Sequence, residues 1–280
     1  MDKHYLSALF TPGKIALFGA SDRENSVGGI VYKNLLTSGF KGKIYAINPK
    51  HEKVQGKKAY KSLDKVNDTI DLAVVATPAV TIPAIVEACG EKGIKMMLIL
   101  SAGFREIGPE GKRLEDRVTQ LVQRYGIRLM GPNCLGIIRP DIGLNITFGN
   151  NNAIPGNLAL VSQSGAICTA ILDWAEQNGI GFSAVVSTGI AADLDFGEYL
   201  DYLVSDPATR SILLYVEGIK NSRRFMSALR AAARIKPVIA LKVGRHAAGA
   251  EASMSHTGAL VGSDETFSAA LSRSGVVRVE

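Results

Sequence analysis

Short runs of aliphatic and β-branched residues alternate with amphipathic stretches along all 280 residues, and this alternation limits the fold more than any other feature. It is the mark of parallel strands covered by helices, so the fold class is α/β. In the first half, strands are predicted at 15–18, 44–47, 72–76, 96–100 and 128–130, with helices over 27–38, 82–92 and 109–125. These form one complete doubly wound domain. Residues 137–157 are rich in Gly, Asn and Pro without a clear period and read as a junction, which places the boundary near residue 150. A second series follows, with strands at 158–161, 183–186, 212–216, 238–243 and 276–279 and helices over 166–178, 196–205, 223–235 and 264–274. The expected domains are 1–150 and 151–280. The chain stops where its last strand ends, so it is expected to be part of a larger protein or a subunit that needs a partner.

Composition removes several classes. With 46% apolar and 21% charged residues the chain is globular rather than disordered or fibrous. No apolar stretch approaches the roughly 20 residues that span a bilayer. Residues 1–10 lack a signal-peptide core, so a cytoplasmic location without membrane association is expected. Cys89, Cys134 and Cys168 are odd in number and lack a metal-binding spacing, so reduced thiols and no metal site are expected. The charge is uneven. Residues 1–140 hold 21 Lys and Arg against 13 Asp and Glu, whereas residues 141–280 hold 11 against 13. Eight lysines between Lys41 and Lys65 read as a solvated basic surface or as a site for a polyphosphate ligand. Nucleic acid is disfavoured, since the stretch offers few rings to stack, His51 and Tyr60 among them, and no recognition motif is present.

Open α/β sheets bind ligands beyond the carboxyl ends of their strands, and those positions are small and polar in the first domain. The first strand is followed by Gly19-Ala20-Ser21, Asn25 and Gly28-Gly29, which reads as a phosphate-facing helix start or as an ordinary turn. The spacing is not that of a dinucleotide fingerprint. The second strand ends in Asn48-Pro49-Lys50 where a ribose-binding acid belongs, so an NAD dehydrogenase is disfavoured. Lys50 suits a phosphate instead. Thr77-Pro78, Ser101-Ala102-Gly103 and Gly131-Pro132-Asn133-Cys134 complete the series. Together these strand ends resemble the CoA-binding domain of the NDP-forming acyl-CoA synthetases, the family that includes succinyl-CoA synthetase α subunits. The resemblance implies a Rossmann-like CoA-binding domain, then a flavodoxin-like, succinyl-CoA synthetase-like domain with parallel sheet. It implies CoA contacts from Gly19, Ala20, Ser21, Asn25, Lys50, Thr77, Pro78, Ser101, Ala102, Asn133 and Cys134, with the nucleotide phosphates near Ser21 and Lys50. Cys134 equally suits a small buried hydrophobe.

In the second domain, the strand ending at Val161 leads into Ser162-Gln163-Ser164-Gly165 and a helix, an anion site at a positive helix end. The G-x-S-x-G pattern of a hydrolase elbow is absent. Ser255-His256-Thr257-Gly258 lies among small residues that leave the imidazole reachable. This run resembles the family's phosphohistidine loop. By that resemblance Ser162, Ser164, Gly165 and Gly258 hold the phosphate, His256 carries it, and Glu217 accepts a hydrogen bond from the imidazole. As an isolated carboxylate after a strand, Glu217 equally suits a turn cap. The implied activity is ADP-forming interconversion of acyl-CoA, phosphate and ADP with a carboxylic acid, CoA and ATP, through acyl phosphate and phosphohistidine. No nucleotide site is legible, so ATP or ADP with Mg2+ would come through an ATP-grasp subunit or further domain, in a hetero- or homo-oligomer. The alternative is a synthetase-like, acyl-CoA-sensing region of a protein lysine acetyltransferase. A pure CoA-binding regulator is a third reading.

Overall fold

The computed structural model describes residues 4–243 and 264–279, which form two seven-stranded sheets. The first holds β1 (Lys14–Phe18), β2 (Lys43–Ile47), β3 (Lys53–Val54), β4 (Lys57–Tyr60), β5 (Leu72–Val75), β6 (Met96–Ile99) and β7 (Arg128–Met130). Their order is β3-β4-β2-β1-β5-β6-β7. All neighbours run parallel except the β3–β4 hairpin. Every residue of β5 and β6 is buried, as expected of central strands covered on both faces. The covering helices are α2 (Val27–Thr37), α3 (Ile82–Glu91) and α4 (Pro109–Tyr125), preceded by the short α1 (Ser7–Phe10).

The second sheet holds β8 (Gly136–Arg139), β9 (Leu144–Thr147), β10 (Pro155–Ser162), β11 (Phe182–Ser187), β12 (Ser211–Val216), β13 (Val238–Lys242) and β14 (Val277–Val279). Their order is β14-β13-β12-β10-β11-β8-β9, parallel from β14 to β11 and antiparallel through β8 and β9. Helices α5 (Gly165–Gln177), α6 (Phe196–Ser205), α7 (Ser222–Ala233) and α8 (Asp264–Arg273) accompany them. The α/β class and the two mainly parallel sheets match the sequence-based expectation.

Two segments differ from the sequence reading. The supposed junction contains the β8–β9 hairpin, so the chain leaves the first sheet after Met130 rather than near residue 150. Both hairpin strands are buried throughout, so they lack the alternation that marks a half-exposed strand. Even Arg139 is buried, and its guanidinium is paired with Asp206 at 3.2 Å and Asp141 at 3.0 Å. The lysine-rich stretch likewise hides β3 and β4. They are joined through Gln55 (φ +46°) and Gly56 (φ +72°), both in the left-handed region that a tight two-residue hairpin requires.

One hydrophobic cluster runs through both sheets. It includes Leu9 and Phe10 of α1, Ile15 and Leu17 of β1, Ile137 and Ile146 of the hairpin, and Tyr199 and Leu200 of α6. Phe10 stacks on Tyr202 with ring centroids 4.0 Å apart. Asn34 of α2 donates to the carbonyls of Thr147 and Gly149 at 2.8 and 2.9 Å. The hairpin therefore belongs to the second sheet by pairing and to the first by packing. Among the described residues, no helix is long and apolar enough to cross a membrane.

Candidate active site

In a parallel sheet the ligand crevice forms where the order of strands reverses. In the first sheet the chain winds outward from β1 to β2 and β4, then resumes at β5 on the other flank of β1. A crevice of about 890 Å3 opens there. Of the residues named from the sequence, Gly19, Ala20, Ser21, Lys50, Thr77, Pro78, Ser101 and Ala102 line it. Asn25 is exposed on the turn before α2, and neither it nor Asn133 or Cys134 lines the crevice. Cys134 lies in the shared core, its Sγ 3.4 Å from the Ile99 carbonyl, and burial pushes its thiol well above the ordinary range. Those surroundings match the buried-hydrophobe role.

Close backbone approach shapes the crevice. Gly19 has φ +91°, and a Cβ there would lie 2.6 Å from the Ala76 carbonyl oxygen. A Cβ on Gly28 would lie only 1.9 Å from the Gly19 carbonyl oxygen, so α2 starts directly against the turn after β1. Ser26 caps that helix, its Oγ accepting the Gly29 N–H at 3.1 Å. Ser26, Val27 and Gly28 line the crevice, which brings the positive end of α2 to it. Side-chain amides fix the surrounding loops. Asn48 donates to the Ala20 carbonyl at 2.8 Å and accepts from the N–H groups of Lys50 and His51. Gln55 donates to the carbonyls of Ser21 and Gly29 at 3.0 and 2.8 Å. On the far flank the Ser101 hydroxyl donates to the Thr77 carbonyl at 2.6 Å.

Sequence reasoning missed Arg23, Lys61 and Ser26 as lining residues. Lys61 was visible only as one of a run of lysines, and Ser26 only as a cap before the first apolar residue of α2. The described lining includes Arg23, Lys50 and Lys61 and no acidic side chain, while Leu63, Ile85 and Ala88 give it an apolar wall. That combination suits a ligand that is partly apolar and carries anionic groups such as phosphates.

The second sheet reverses between β10 and β12, and Ser162, Ser164, Gly165 and Glu217 lie at the ends of those two strands. Ser164 caps α5, its Oγ accepting the Ile167 N–H at 3.3 Å. The buried Ser162 hydroxyl donates to the Ser164 carbonyl at 2.8 Å and accepts the Ser164 N–H at 3.1 Å, tightening the turn. Glu217 follows β12 and is only 7% exposed. Burial, with the Glu217 carboxylate as a second cause, raises the Tyr215 hydroxyl. Gln163 spans the two strand ends. Its Oε1 accepts the N–H groups of Glu217 and Gly218 at 2.6 and 3.0 Å, and its Nε2 donates to the Gly218 carbonyl at 2.9 Å. His256 and Gly258 lie outside the described residues. Among the described residues, no cluster of His, Cys, Asp and Glu is arranged to hold a metal ion.

Backbone pairing ties the end of β7 in the first sheet to the loop that follows β11 in the second. The N–H groups of Ile190, Ala192 and Leu194 donate to the carbonyls of Pro132, Gly131 and Leu129 at 2.9, 2.9 and 3.0 Å. Leu135 N–H donates to the Ser187 hydroxyl at 3.1 Å. The Asn133 loop of the first sheet is thereby laid along the end of β11, beside the turn of Ser162, Ser164 and Gly165.

Known proteins share this arrangement. Residues 13–140 match the CoA binding domain family, and residues 155–280 match the succinyl-CoA ligase like flavodoxin domain family. The chain is 44% identical to the acetate–CoA ligase [ADP-forming] I subunit alpha of Pyrococcus furiosus, over 98% of this chain and 60% of that one. It is 43% identical to acetate–CoA ligase [ADP-forming] I of Archaeoglobus fulgidus, over 97% of this chain and 39% of that one. The dinucleotide forming acetyl-coenzyme A synthetase 1 of Ca. Korarchaeum cryptofilum, solved in complex with phosphate and ADP, superposes with a TM-score of 0.94 at 37% identity. That alignment covers 98% of this chain and 59% of that one. The chain thus spans 60% or less of the length of each of these relatives. With both halves matched in order over nearly its full length, it belongs to the ADP-forming acyl-CoA synthetase family, as an alpha-type chain with a CoA-binding domain followed by a succinyl-CoA ligase flavodoxin-like domain.

Proposed function

We propose that this chain supplies the acyl-CoA and phosphohistidine half of an ADP-forming acyl-CoA ligase. The observation that carries the reading is the paired backbone that lays the Asn133 loop of the first sheet, the sheet with the cation-rimmed crevice, beside the serine turn and buried carboxylate of the second. CoA lies along the first crevice with its phosphates toward Arg23, Lys50 and Lys61 and the start of α2. Its thioester end passes Thr77 and Ser101 toward the Asn133 loop. Inorganic phosphate binds at the start of α5, against Ser162, Ser164 and Gly165, where the helix end offsets its charge.

A phosphate oxygen attacks the thioester carbonyl, the C–S bond breaks, and acyl phosphate and CoA thiolate result. A nitrogen of His256 then attacks the phosphorus, the P–O bond to the acyl group breaks, and the carboxylate leaves. Glu217 holds the other imidazole N–H, fixing the tautomer and balancing the charge that develops on the ring. Gly258 contributes a backbone N–H to the phosphoryl group. The phosphohistidine passes its phosphoryl group to ADP, with Mg2+, on an ATP-grasp subunit or domain. A cytosolic setting agrees with the free thiols of Cys89, Cys134 and Cys168.

The test uses the chain assembled with its nucleotide-handling portion. Labelled ATP is expected to give an acid-labile, base-stable phosphoprotein that is discharged by a carboxylic acid plus CoA. Full labelling of His256→Ala would overturn the assignment. A wild-type assembly that binds acyl-CoA but exchanges no phosphoryl group would favour a CoA-binding regulator.

A further inference from the structure

Gln163 occupies the middle of the serine turn, yet no step above uses it. Its side chain is 7% exposed and reaches from the end of β10 to the end of β12, two adjacent parallel strands. The strand ladder stops at this level, with the Gln163 N–H donating to the Tyr215 carbonyl at 3.2 Å. Beyond it the next backbone groups of the β12 strand would lack a partner, and the Gln163 amide fills that place with three hydrogen bonds. On the opposite side, the Lys242 ammonium from β13 donates to the Glu217 carbonyl at 3.1 Å. Both backbone groups of Glu217 are therefore gripped, the N–H from the serine turn and the carbonyl from β13.

We propose that Gln163 is a positioning residue, which holds the Glu217–Gly218 peptide against the serine turn and so fixes the Glu217 carboxylate relative to the phosphate bound by Ser162, Ser164 and Gly165. This inference rests on the role given to Glu217 under the proposed function. It places the phosphate site and the imidazole partner on one rigid unit, with a single amide as the link. Glutamine is suited to the task because one oxygen accepts two adjacent N–H groups while its nitrogen donates to the carbonyl between strands. Glutamate retains the acceptor and loses the donor. Alanine loses both.

A double-mutant cycle in the assembled enzyme tests it, with acyl-CoA- and phosphate-dependent turnover as the readout. Gln163→Ala is expected to lower kcat about 10- to 100-fold, the scale of an ångström-level misplacement. KM for acyl-CoA should stay within about twofold, because the CoA crevice lies on the other sheet. Gln163→Glu should recover a substantial part of kcat. In a Glu217→Gln background the further loss from Gln163→Ala should vanish, since two residues that act through one another are not additive. A purely structural amide predicts full additivity, and that result would overturn the inference while leaving the role of Glu217 intact. If Glu217→Gln alone turns over at the wild-type rate, the parent reading of Glu217 falls instead. Thermal unfolding accompanies each variant. Should Gln163→Ala not fold, the cycle is run with Gln163→Glu, and loss of folding in both overturns the inference in favour of a structural clamp.

Discussion

Arg128 and Asp193 form a two-pronged ion pair across the two sheets, Nε to Oδ2 at 2.8 Å and Nη2 to Oδ1 at 3.1 Å. Asp193 Oδ2 also accepts the Leu129 N–H at 2.8 Å, so one carboxylate holds both the side chain and the backbone of β7. The adjoining residues carry the backbone pairing to Gly131 and Pro132. Asp193→Ala is expected to lower stability by about 1–3 kcal/mol, the range for a partly buried, charge-assisted hydrogen bond. Urea unfolding checks this. A loss under about 0.5 kcal/mol, the level of an ordinary surface substitution, would show that the pair is not a brace.

The approach of α2 to the turn after β1 leaves no room for a methyl group at Gly28. Gly28→Ala must push the helix start away from the crevice, an overpacking that costs about 1–3 kcal/mol. CoA affinity, measured by calorimetry, should fall at least about tenfold, which corresponds to 1.4 kcal/mol. Unchanged affinity would mean that CoA does not depend on this end of the crevice.

Lys50 is exposed at the rim of the crevice, and under the proposed function it meets phosphate as a mobile point charge. Lys50→Ala should weaken CoA binding by about 3- to 10-fold at low salt and by less at high salt, because exposed charges are screened. Pantetheine, which lacks the nucleotide phosphates, should bind both proteins equally. A loss of the same size for pantetheine would place the phosphates elsewhere.

Burial raises the thiols of Cys89 and Cys168 to about 12, from an ordinary value near 9. In the unfolded chain these thiols ionise as pH climbs past about 9, while in the folded chain they stay protonated. The folded state then binds more protons than the unfolded one, so stability present below about pH 9 is lost as pH rises toward about 12. Each thiol contributes up to about 1.4 kcal/mol per pH unit in that window. The lowered ammonium groups of Lys236 and Lys242 act with the opposite sign, so the comparison of wild type with Cys89→Ala isolates one thiol. The stability gap between the two proteins should narrow from pH 8 to pH 10.5. A constant gap would refute the assignment.

Most of the architecture could be read from the residues because central parallel strands are continuous apolar runs and their helices are amphipathic. The helix at Pro109–Tyr125 and the strand at Arg128–Met130 coincide with their predicted limits. The β8–β9 hairpin escaped because burial on both faces removes alternation, and the surrounding Gly, Asn and Pro residues suggested an irregular link. The crevice was legible where small residues follow strands. Its cationic rim was less so, since Arg23 and Lys61 come from a turn and from the loop after β4, which only the folded chain brings together. Gln163 was hidden for another reason. Its partners are main-chain atoms fifty-four and fifty-five positions away, and main-chain atoms have no identity in a sequence.

The double allegiance of the β8–β9 hairpin governs how this protein can be divided. A cut at residue 150 would strip two strands from the second sheet and leave Ile137 and Ile146 stranded on the wrong fragment. A cut between Met130 and Gly136 respects the ladders but bares the flank of α2 that Asn34 ties to Thr147. Neither half is a free-standing module, so swapping CoA-binding halves between relatives requires the hairpin and its α2 footing to be exchanged as one piece.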